Sequence, residues 1–470
     1  MRKRQGEVVI YENVEIIDAG SEGKAVARVG ELVIFVPFVV PGDVVDIKIV
    51  RRKKSFREGI ALKIHKYSDK RVEAFCEHYG TCGGCRWQNM DYKWQLFYKQ
   101  KQVEDNFQRI GKFTMPDIMP IIASARTQYY RNKLEYTFSN KRWLMDGDMA
   151  QEDPFQRNMN ALGFHIPQMF DRVLDINTCF LQPEPSNAIR LAIKAFAENN
   201  HLEFYDVRRW TGFLRNIVIR NSSSGDVMVI LVVNADEREI IYALLDDLSA
   251  KFPQITSLMY VINSKHNDVI SDLPVQLYKG NPFIMETMEN LKFKIGPVSF
   301  FQTNSEQAYR LYCCAREFAG LSSNEVVYDL YTGTGTIANF VASGAQKVVG
   351  VEYVDSAIED AKENSKINGI NNTVFYAGDM VKVLTDEFVI ANGHPDVVIT
   401  DPPRAGMHPK VVEQLMTIAP EKIVYVSCNP ATQARDIALM DEKYRVEKIQ
   451  PVDMFPHTQH VENVCLLCKR

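Results

Sequence analysis

Asp329-Leu330-Tyr331-Thr332-Gly333-Thr334-Gly335-Thr336, residues 329–336, stands at the end of a predicted strand that begins at Glu325. The two glycines of this segment permit a tight turn and a close approach of a ligand to the backbone. A dinucleotide-binding motif has a third glycine where this chain has Ala338, and the loop lacks a phosphate-binding lysine. The segment therefore predicts a site for a nucleoside without phosphates in preference to NAD or ATP.

Strand patterns alternate with helical patterns on both sides of this loop. The predicted strands are residues 325–330, 348–351, 374–376, 396–399 and 423–426. Such alternation is typical of a parallel sheet with helices on both faces, in which ligands bind at the carboxyl ends of the strands. Residues 291–470 are thus predicted to form a Rossmann-like α/β domain.

Polar side chains stand where these predicted strands end. Glu352 could accept hydrogen bonds from ribose hydroxyls, and Asp379 lies where the adenine end of a nucleoside would bind. Asp401 precedes two rigid prolines, and Cys428 follows the fifth strand at the mouth of the same cleft. The strand-end position and polar neighbours of Cys428 favour a reactive thiol over one that packs as a small hydrophobic residue.

The N-terminal part of the chain has a different pattern. Short alternating runs separated by Gly and Pro-Gly turns predict a small OB-like β-barrel over residues 1–66. Six basic residues without an intervening acid suit nucleic-acid binding by a barrel loop, although a solvated charged turn is the alternative; they are Lys48, Arg51, Arg52, Lys53, Lys54 and Arg57. Residues 67–290 are predicted to be a middle α+β domain, with a helix near 91–111 that packs on the C-terminal domain.

Length and composition agree with a multidomain globular protein. The chain has 470 residues, of which 46% are hydrophobic and 24% charged, and its net charge of −4 gives no global indication of nucleic-acid binding. The longest apolar run, residues 32–40, contains Pro37 and is too short to span a bilayer. We therefore expect a cytoplasmic protein, in which cysteines serve as metal ligands or catalytic thiols before they form disulfides.

Three of the nine cysteines lie close together in the sequence. Cys76, Cys82 and Cys85 are accompanied by two glycines that allow a turn, and a fourth ligand would complete a site for either zinc or a [4Fe-4S] cluster. Their spacing differs from the CxxxCxxC of radical enzymes. The pairs at 313–314 and at 465 and 468 are both expected to be structural. For 465 and 468 the reason is that positions three apart on a strand face opposite sides.

Together these motifs resemble the RNA uracil-5-methyltransferases, particularly the bacterial enzymes that carry an iron-sulfur cluster and modify 23S ribosomal RNA. The resemblance covers essentially the whole chain, and one departure is Tyr331-Thr332, where many members have Phe-Cys. Its carriers are Cys76 with Cys82-Gly83-Gly84-Cys85, Phe300-Phe301-Gln302-Thr303-Asn304, the glycine loop, Asp401-Pro402-Pro403-Arg404, Ser427-Cys428-Asn429-Pro430 and His460-Val461-Glu462-Asn463-Val464.

This resemblance implies specific roles. Cys428 would be the nucleophile, Glu462 the general base, and Cys179 the fourth ligand of a [4Fe-4S] cluster. The N-terminal barrel would be a TRAM domain. The residues expected to line the S-adenosylmethionine and target-base site are Gln302, Tyr331, Thr336, Glu352, Asp379 and Asp401.

The implied activity is methylation of carbon 5 of a uridine in RNA, most simply 23S ribosomal RNA, by a monomer. Attack of the Cys428 thiolate on carbon 6 would activate carbon 5, so the site is expected to favour the thiolate or to accept the thiol proton. The alternatives are a T-loop uridine of transfer RNA, a cytosine-5-methyltransferase, and a nonenzymatic RNA-binding factor. A Pro-Cys motif would suit the cytosine enzymes better than Cys428 before Asn429-Pro430.

Residues outside the motifs are candidates for RNA contact. Phe300 could stack on the target base once the base has left its helix, with core packing as the alternative. Near the cysteines and at the start of the middle domain, charged or aromatic side chains could contact phosphates and bases; these are Arg86, Trp87, Arg131, Asn132 and Lys133.

Overall fold

The N-terminal strands close into a barrel, as the sequence predicts. The computed structural model describes residues 8–20, 22–145, 147–148 and 157–470. The barrel strands are β1 (Ile10–Ala19), β2 (Ala25–Val29), β3 (Leu32–Val36), β4 (Val44–Arg52) and β5 (Arg57–Lys66), in the order β1-β2-β3-β5-β4. Alternate side chains such as Ile16, Ile34 and Ile47 fill the interior.

The basic cluster of the barrel lies at the tip of the β4–β5 hairpin. Lys53 and Lys54 are exposed in the turn, and the Lys53 amide donates to the Phe56 carbonyl at 3.0 Å. The Phe56 ring packs edge-on against Phe35, with ring centroids 5.3 Å apart. The turn is therefore anchored to the barrel while its cations face solvent.

A large, mostly antiparallel mixed sheet is formed by the middle part of the chain. Its strands are β6 (Lys133–Ser139), β7 (Arg142–Trp143), β8 (Ala161–Ile166), β9 (Met169–Asp175), β10 (Leu214–Asn221), β11 (Val227–Val233), β12 (Ser257–Ile262) and β13 (Gln276–Gly280), in the order β13-β12-β11-β10-β6-β8-β9-β7. Two helices, α2 (Ser186–Asn199) and α3 (Arg238–Lys251), bury apolar stripes in the same core as one face of this sheet.

The C-terminal sheet confirms the predicted α/β fold. A ribbon of β14 (Ile284–Met288) and β15 (Leu291–Ile295) and the helix α4 (Ser305–Ala319) precede it. Its strands are β16 (Val326–Leu330), β17 (Lys347–Glu352), β18 (Thr373–Ala377), β19 (Val397–Thr400), β20 (Lys422–Ser427), β21 (Tyr444–Val452) and β22 (Glu462–Lys469). The order is β18-β17-β16-β19-β20-β22-β21. The first five are parallel, and they are the five strands predicted from the sequence.

Helices cover this sheet and join it to the rest of the chain. Those within the C-terminal fold are α5 (Thr336–Val341), α6 (Asp355–Ile367), α7 (Met380–Val383), α8 (Asp386–Asn392), α9 (Pro409–Ile418) and α10 (Pro430–Met440). The helix predicted near 91–111 is α1 (Tyr92–Asn106), which continues as a π-helical turn over Phe107–Gly111. Val103 and Phe107 are fully buried in the C-terminal core. Across the described ranges, no helix is long and apolar enough to traverse a bilayer.

Candidate active site

Strand register brings three of the predicted site residues together. Antiparallel β20 and β22 pair Ser427 with Asn463, so the next two facing residues are Cys428 and Glu462. Parallel β19 ends one residue before Asp401, whose backbone amide donates to the Leu330 carbonyl at 3.3 Å. Cys428, Glu462 and Asp401 therefore lie at one edge of the sheet, although Glu462 belongs to an antiparallel strand that the alternation pattern does not include.

The carboxyl groups of this edge are held in a desolvated environment. Burial, with a contribution from Asp401, raises the pKa of Glu462 to about 8, and its side chain is only 4% exposed. Burial likewise raises the pKa of Asp401 to about 7. Groups with such values can exchange protons near neutral pH, which is the property that general acid–base catalysis requires.

The thiol of Cys428 does not match the expectation of a stabilised anion. Burial raises its pKa to about 11, and the nearby Glu462 and Asp401 carboxylates add to the shift. A desolvated thiol next to acidic groups retains its proton. Of the two expectations for this site, a favoured thiolate or an acceptor for the thiol proton, these surroundings favour the acceptor. Formation of the thiolate must accompany substrate binding or proton transfer.

Arg404 is the cation that opposes this effect. Its guanidinium lowers the pKa of Cys428 through its charge and a hydrogen bond to the thiol. The Arg404 carbonyl accepts from the Asn429 side chain at 3.0 Å and from the Thr432 hydroxyl at 3.2 Å, which ties its loop to the start of α10. One guanidinium nitrogen lies 3.1 Å from Nδ1 of His460. Burial, together with Arg404, lowers the pKa of His460 to about 4.

The glycine loop after β16 leaves space for a ligand. Gly333 and Gly335 have φ angles of +55° and +72°, which favour glycine. A Cβ at Gly335 would lie 2.8 Å from that of Ala361, whereas one at Gly333 would meet no atom of the described residues within 4 Å. Within the same described part of the chain, the buried Oδ1 atom of Asp329 has no hydrogen-bond partner. Open space beside an unpaired acceptor fits a nucleoside or amino-acid ligand.

The other predicted cofactor residues surround this loop. Oε2 of Glu352 accepts from the Gly333 amide at 3.2 Å. Burial and the charges of the carboxylates, among them Asp379 and Glu352, raise the pKa of Tyr331 to about 12. Thr336 is buried as the first residue of α5. On the other side of the cleft, the Gln302 side chain hydrogen-bonds Tyr312, which also senses the charge of Asp401.

The four predicted metal ligands line one cavity of about 640 Å³. Gly83 permits the turn that carries two of them: its φ is +78°, and a Cβ there would lie 2.3 Å from Cγ of Pro167. The cavity also includes Arg404 and His460, so it opens onto the site described above. The ligands in question are Cys76, Cys82, Cys85 and Cys179.

The thiols interact with one another but do not form a ready metal site. Burial raises the pKa of Cys82 to about 11 and that of Cys85 to about 12, with the neighbouring cysteines adding to each shift. Among the residues that the structure describes, no three His, Cys, Asp or Glu side chains form a group that could hold a metal ion. The predicted metal centre is therefore not shown by the side-chain arrangement, and its donor set is four thiols around a shared cavity.

Comparisons with known proteins agree with this architecture. Residues 281–470 match the family model described as tRNA (Uracil-5-)-methyltransferase. An uncharacterized RNA methyltransferase of Bacteroides thetaiotaomicron is 57% identical over 95% of this chain and 99% of that protein. Another, of Chlorobaculum tepidum, is 36% identical over 99% and 97%. The chain belongs to the RNA (uracil-5-)-methyltransferase family. The prediction of an enzyme of this class is thereby confirmed.

A solved structure supports the family assignment over nearly the full length of the chain. The tRNA (uracil-54, C5)-methyltransferase of Pyrococcus abyssi, crystallised with S-adenosyl-L-homocysteine, has a TM-score of 0.73 and 29% sequence identity. The match covers 96% of this chain and 99% of the other. The barrel, the middle sheet and the C-terminal sheet thus occur together in a uracil-5-methyltransferase of known structure.

In the present chain, the residues predicted to contact RNA have different environments. Phe300 is 69% exposed, so core packing is wrong for it. Trp87 is only 3% exposed and packs with Val40, Met90 and Tyr98, so it has no free face for a base. The burial of Trp87 corrects the expectation that it stacks on RNA.

Asn132 also has a structural task. Its side-chain amide donates to the Gln302 carbonyl at 2.9 Å and to the Ser305 hydroxyl at 2.8 Å, and its backbone amide donates to Thr303 at 2.7 Å. It joins the middle sheet to the segment that carries Gln302. Arg131 instead lines the cysteine cavity, where its Nε atom donates to the Lys133 carbonyl at 3.0 Å and its guanidinium lies over the Phe455 ring.

Two site residues went unassigned in the sequence. Arg404 stands in the Asp-Pro-Pro-Arg motif, and its position after a predicted strand was a usable signal. Tyr312 lies fully inside α4, where burial and three carboxylates raise its pKa well above the usual value. Nothing in the pattern of α4 distinguishes this tyrosine from an ordinary core residue.

Proposed function

We propose that this protein methylates carbon 5 of a uridine in structured RNA through a covalent intermediate on Cys428. The observation that carries the proposal is the meeting of Cys428, Glu462 and Asp401 at one sheet edge, with Arg404 at the thiol. A nucleophile, a carboxyl group that titrates near neutral pH and a cation are the groups that this chemistry requires. Membership of the family favours uracil over the cytosine and nonenzymatic alternatives.

The residues act in a defined order. The Cys428 sulfur bonds to carbon 6 of uracil as its proton passes to the Asp401 carboxylate, and Arg404 stabilises the charge that develops on the sulfur. The electrons of the carbon 5–carbon 6 double bond move toward the carbon 4 carbonyl oxygen, which gives an enolate that is nucleophilic at carbon 5. S-adenosylmethionine, when bound, would supply an electrophilic methyl group for carbon 5, with the sulfonium sulfur as the leaving group. The Glu462 carboxylate then removes the proton from carbon 5. The electrons of that C–H bond form the carbon 5–carbon 6 double bond, and Cys428 leaves as a thiolate.

The cofactor would lie along the glycine loop. Gly333 offers open backbone, Glu352 a carboxylate for ribose hydroxyls, and Asp379 an acceptor beside the base. Oδ1 of Asp329, which is buried and unpaired among the described residues, would take a donor of the amino-acid portion. Gln302, Tyr331, Thr336 and Asp401 would complete the site toward the target base, as the family resemblance implies. The complex of the Pyrococcus abyssi relative with S-adenosyl-L-homocysteine supports this assignment.

The RNA in this proposal is 23S ribosomal RNA. The cluster motif and the barrel, which we assign to the TRAM type, support a ribosomal substrate by resemblance. The Pyrococcus abyssi relative is a tRNA (uracil-54, C5)-methyltransferase, which supports the second candidate, a transfer-RNA uridine. The proposal also includes the division into residues 1–66, 67–290 and 291–470, and a cytoplasmic monomer.

Loss of this protein is expected to remove 5-methyluridine from one mapped position, because the proposed activity methylates carbon 5 of one specific uridine. Fragment-resolved mass spectrometry of ribosomal and transfer RNA, from cells with and without the gene, would identify that position. A complementing gene is the control. Loss in transfer RNA would replace the ribosomal substrate, and an unchanged map in both RNAs would contradict the proposed activity.

The cysteine cavity is proposed to hold a [4Fe-4S] cluster. Four thiols around one space are the donor set that such clusters use, and a cluster spans more space than a single ion, so its ligands stand further apart. Bound iron would also keep the thiols deprotonated against the burial that raises their pKa. Zinc, which takes four thiolates at one point, is the alternative.

Replacing Cys179 by serine is expected to lower the iron content of anaerobically purified protein and its broad visible absorption, because one of four ligands is lost. Cys313→Ser, which changes a thiol outside the cavity, is the matched control and should retain both. Unmodified protein with zinc and no iron would overturn the iron assignment.

A further inference from the structure

The connection between β21 and β22 determines where Glu462 enters the sheet. It runs over residues 453–461 and carries His460 just before the proposed base. Its first part is deeply buried, with Asp453 and Met454 fully covered and His457 only 7% exposed. Buried polar groups in an irregular segment need partners from elsewhere. Those partners lie outside the C-terminal sheet.

Helix α1 supplies the first group of partners. Nζ of Lys99 lies 2.5 Å from Oδ1 of Asp453, and both side chains are completely buried. Lys99 also donates to the Phe455 carbonyl at 2.9 Å. The Tyr92 hydroxyl donates to Oδ2 of Asp453 at 2.7 Å. Burying an ion pair yields little net stability, so a pair placed here suits a role in fixing one conformation.

The second group comes from the cysteine turn, which we define as residues 82–87. The amides of Arg86 and Trp87 both donate to the His457 carbonyl, at 2.8 and 3.0 Å. The fully buried Gln95 side chain joins the two sides: it donates to the Trp87 carbonyl at 3.1 Å and accepts from the His457 amide at 2.8 Å. The cysteine turn, which contains Cys82 and Cys85, is thus bonded directly to the segment that leads to Glu462.

We propose that Lys99, Gln95 and Tyr92 are positioning residues that hold the 453–458 segment, and through it Glu462, in the geometry for proton removal. The cysteine turn is the opposite side of the same clamp. This inference rests on the proposed function and gives the cysteine region a task in a reaction that has no redox step.

The clamp acts on one chemical step. Cys428 lies between β20 and α10, and none of the clamp hydrogen bonds named above is made to it. Adduct formation and methyl transfer therefore depend little on it, whereas removal of the carbon 5 proton depends on the position of Glu462. A general base displaced by a fraction of its hydrogen-bonding distance loses much of its effect.

Lys99→Met is expected to raise the ratio of methylated covalent adduct to released 5-methyluridine by about 10-fold in single-turnover reactions with RNA and S-adenosylmethionine. Denaturing gels quantify the adduct, and mass spectrometry quantifies the product. Lys141→Met is the matched control, because it breaks a 2.7 Å ion pair with the buried Asp206 of the middle domain. It should leave the ratio unchanged even if it lowers stability.

Tyr92→Phe separates an effect on the position of Glu462 from an effect on folding. It removes one hydroxyl from Asp453, retains the ring, and should shift the ratio in the same direction by a smaller factor. A ratio equal to that of the unmodified enzyme in Tyr92→Phe and in any folded Lys99→Met would overturn the clamp. Glu462→Gln distinguishes the two failures: if it accumulates adduct while the clamp variants do not, the inference alone fails, and if it forms none, the proposed chemistry fails.

Discussion

Cys428→Ser is expected to abolish methylation, with a loss of at least about 10⁴-fold in turnover. A serine hydroxyl ionises far less readily than a thiol and is a weaker nucleophile toward carbon 6, so carbon 5 is never activated. Transfer of a labelled methyl group to substrate RNA measures the loss. Denaturing gels should also show no covalent RNA–protein band with this variant.

Cys468→Ser is the matched control for this result. Cys468 is a half-buried thiol near the far end of β22, on the strand that begins with Glu462. The same thiol-to-hydroxyl change there should leave turnover near that of the unmodified enzyme. If Cys428→Ser kept a substantial part of the activity, carbon 6 attack by this residue would be ruled out, and another nucleophile or a direct transfer would be required.

The prominence of Cys428 in the sequence has a physical reason. Central parallel strands are buried on both faces, so the sequence of each is a continuous apolar run, such as residues 423–426. Polar residues follow at the end of the run. Once five such runs alternate with helices, their carboxyl ends must meet at one edge. The placement of Glu352, Asp379, Asp401 and Cys428 was therefore predictable. Glu462 was predictable only by resemblance, because it begins an antiparallel strand.

The contacts between distant parts of the chain had no such signal. In the sequence, Lys99 is one of several lysines in a helical pattern and Asp453 precedes a loop, so neither stands out. Only the folded chain buries both side chains. Trp87 was expected to face RNA, yet the barrel residue Val40 helps to bury it. Periodicity reports which face of an element is apolar, and it does not report which other element covers that face.

The environment of the thiol is unpredictable for a related reason. The pKa of Cys428 depends on how far it is desolvated and on its distances to Glu462, Asp401 and Arg404. Those distances follow from the register of β20 and β22 and from the path of the loop after β19. Residue types alone left open whether the site favours the thiolate or accepts the thiol proton, and only the folded chain shows that burial and two carboxyl groups raise the pKa of the thiol.

Glu462→Gln is expected to lower turnover by about 10²- to 10⁴-fold while a covalent RNA adduct accumulates. Glutamine has nearly the same shape but cannot accept the carbon 5 proton, so Cys428 cannot leave. The pH dependence gives a second measurement. Because burial raises the pKa of Glu462 to about 8, it must lose its proton before it can act as a base, and resolution of the adduct should slow as pH falls through that value.

The variant should lose that pH dependence, because its amide does not titrate. Glu421→Gln, which changes an exposed carboxylate paired with Lys469, should keep both the turnover and the pH profile of the unmodified enzyme. Adduct that fails to accumulate in Glu462→Gln, with methylation lost, would mean that Glu462 is needed before carbon 6 attack. Its carboxylate would then serve to take the Cys428 proton, and the base at carbon 5 would have to be sought in Asp401, whose pKa of about 7 also suits proton exchange.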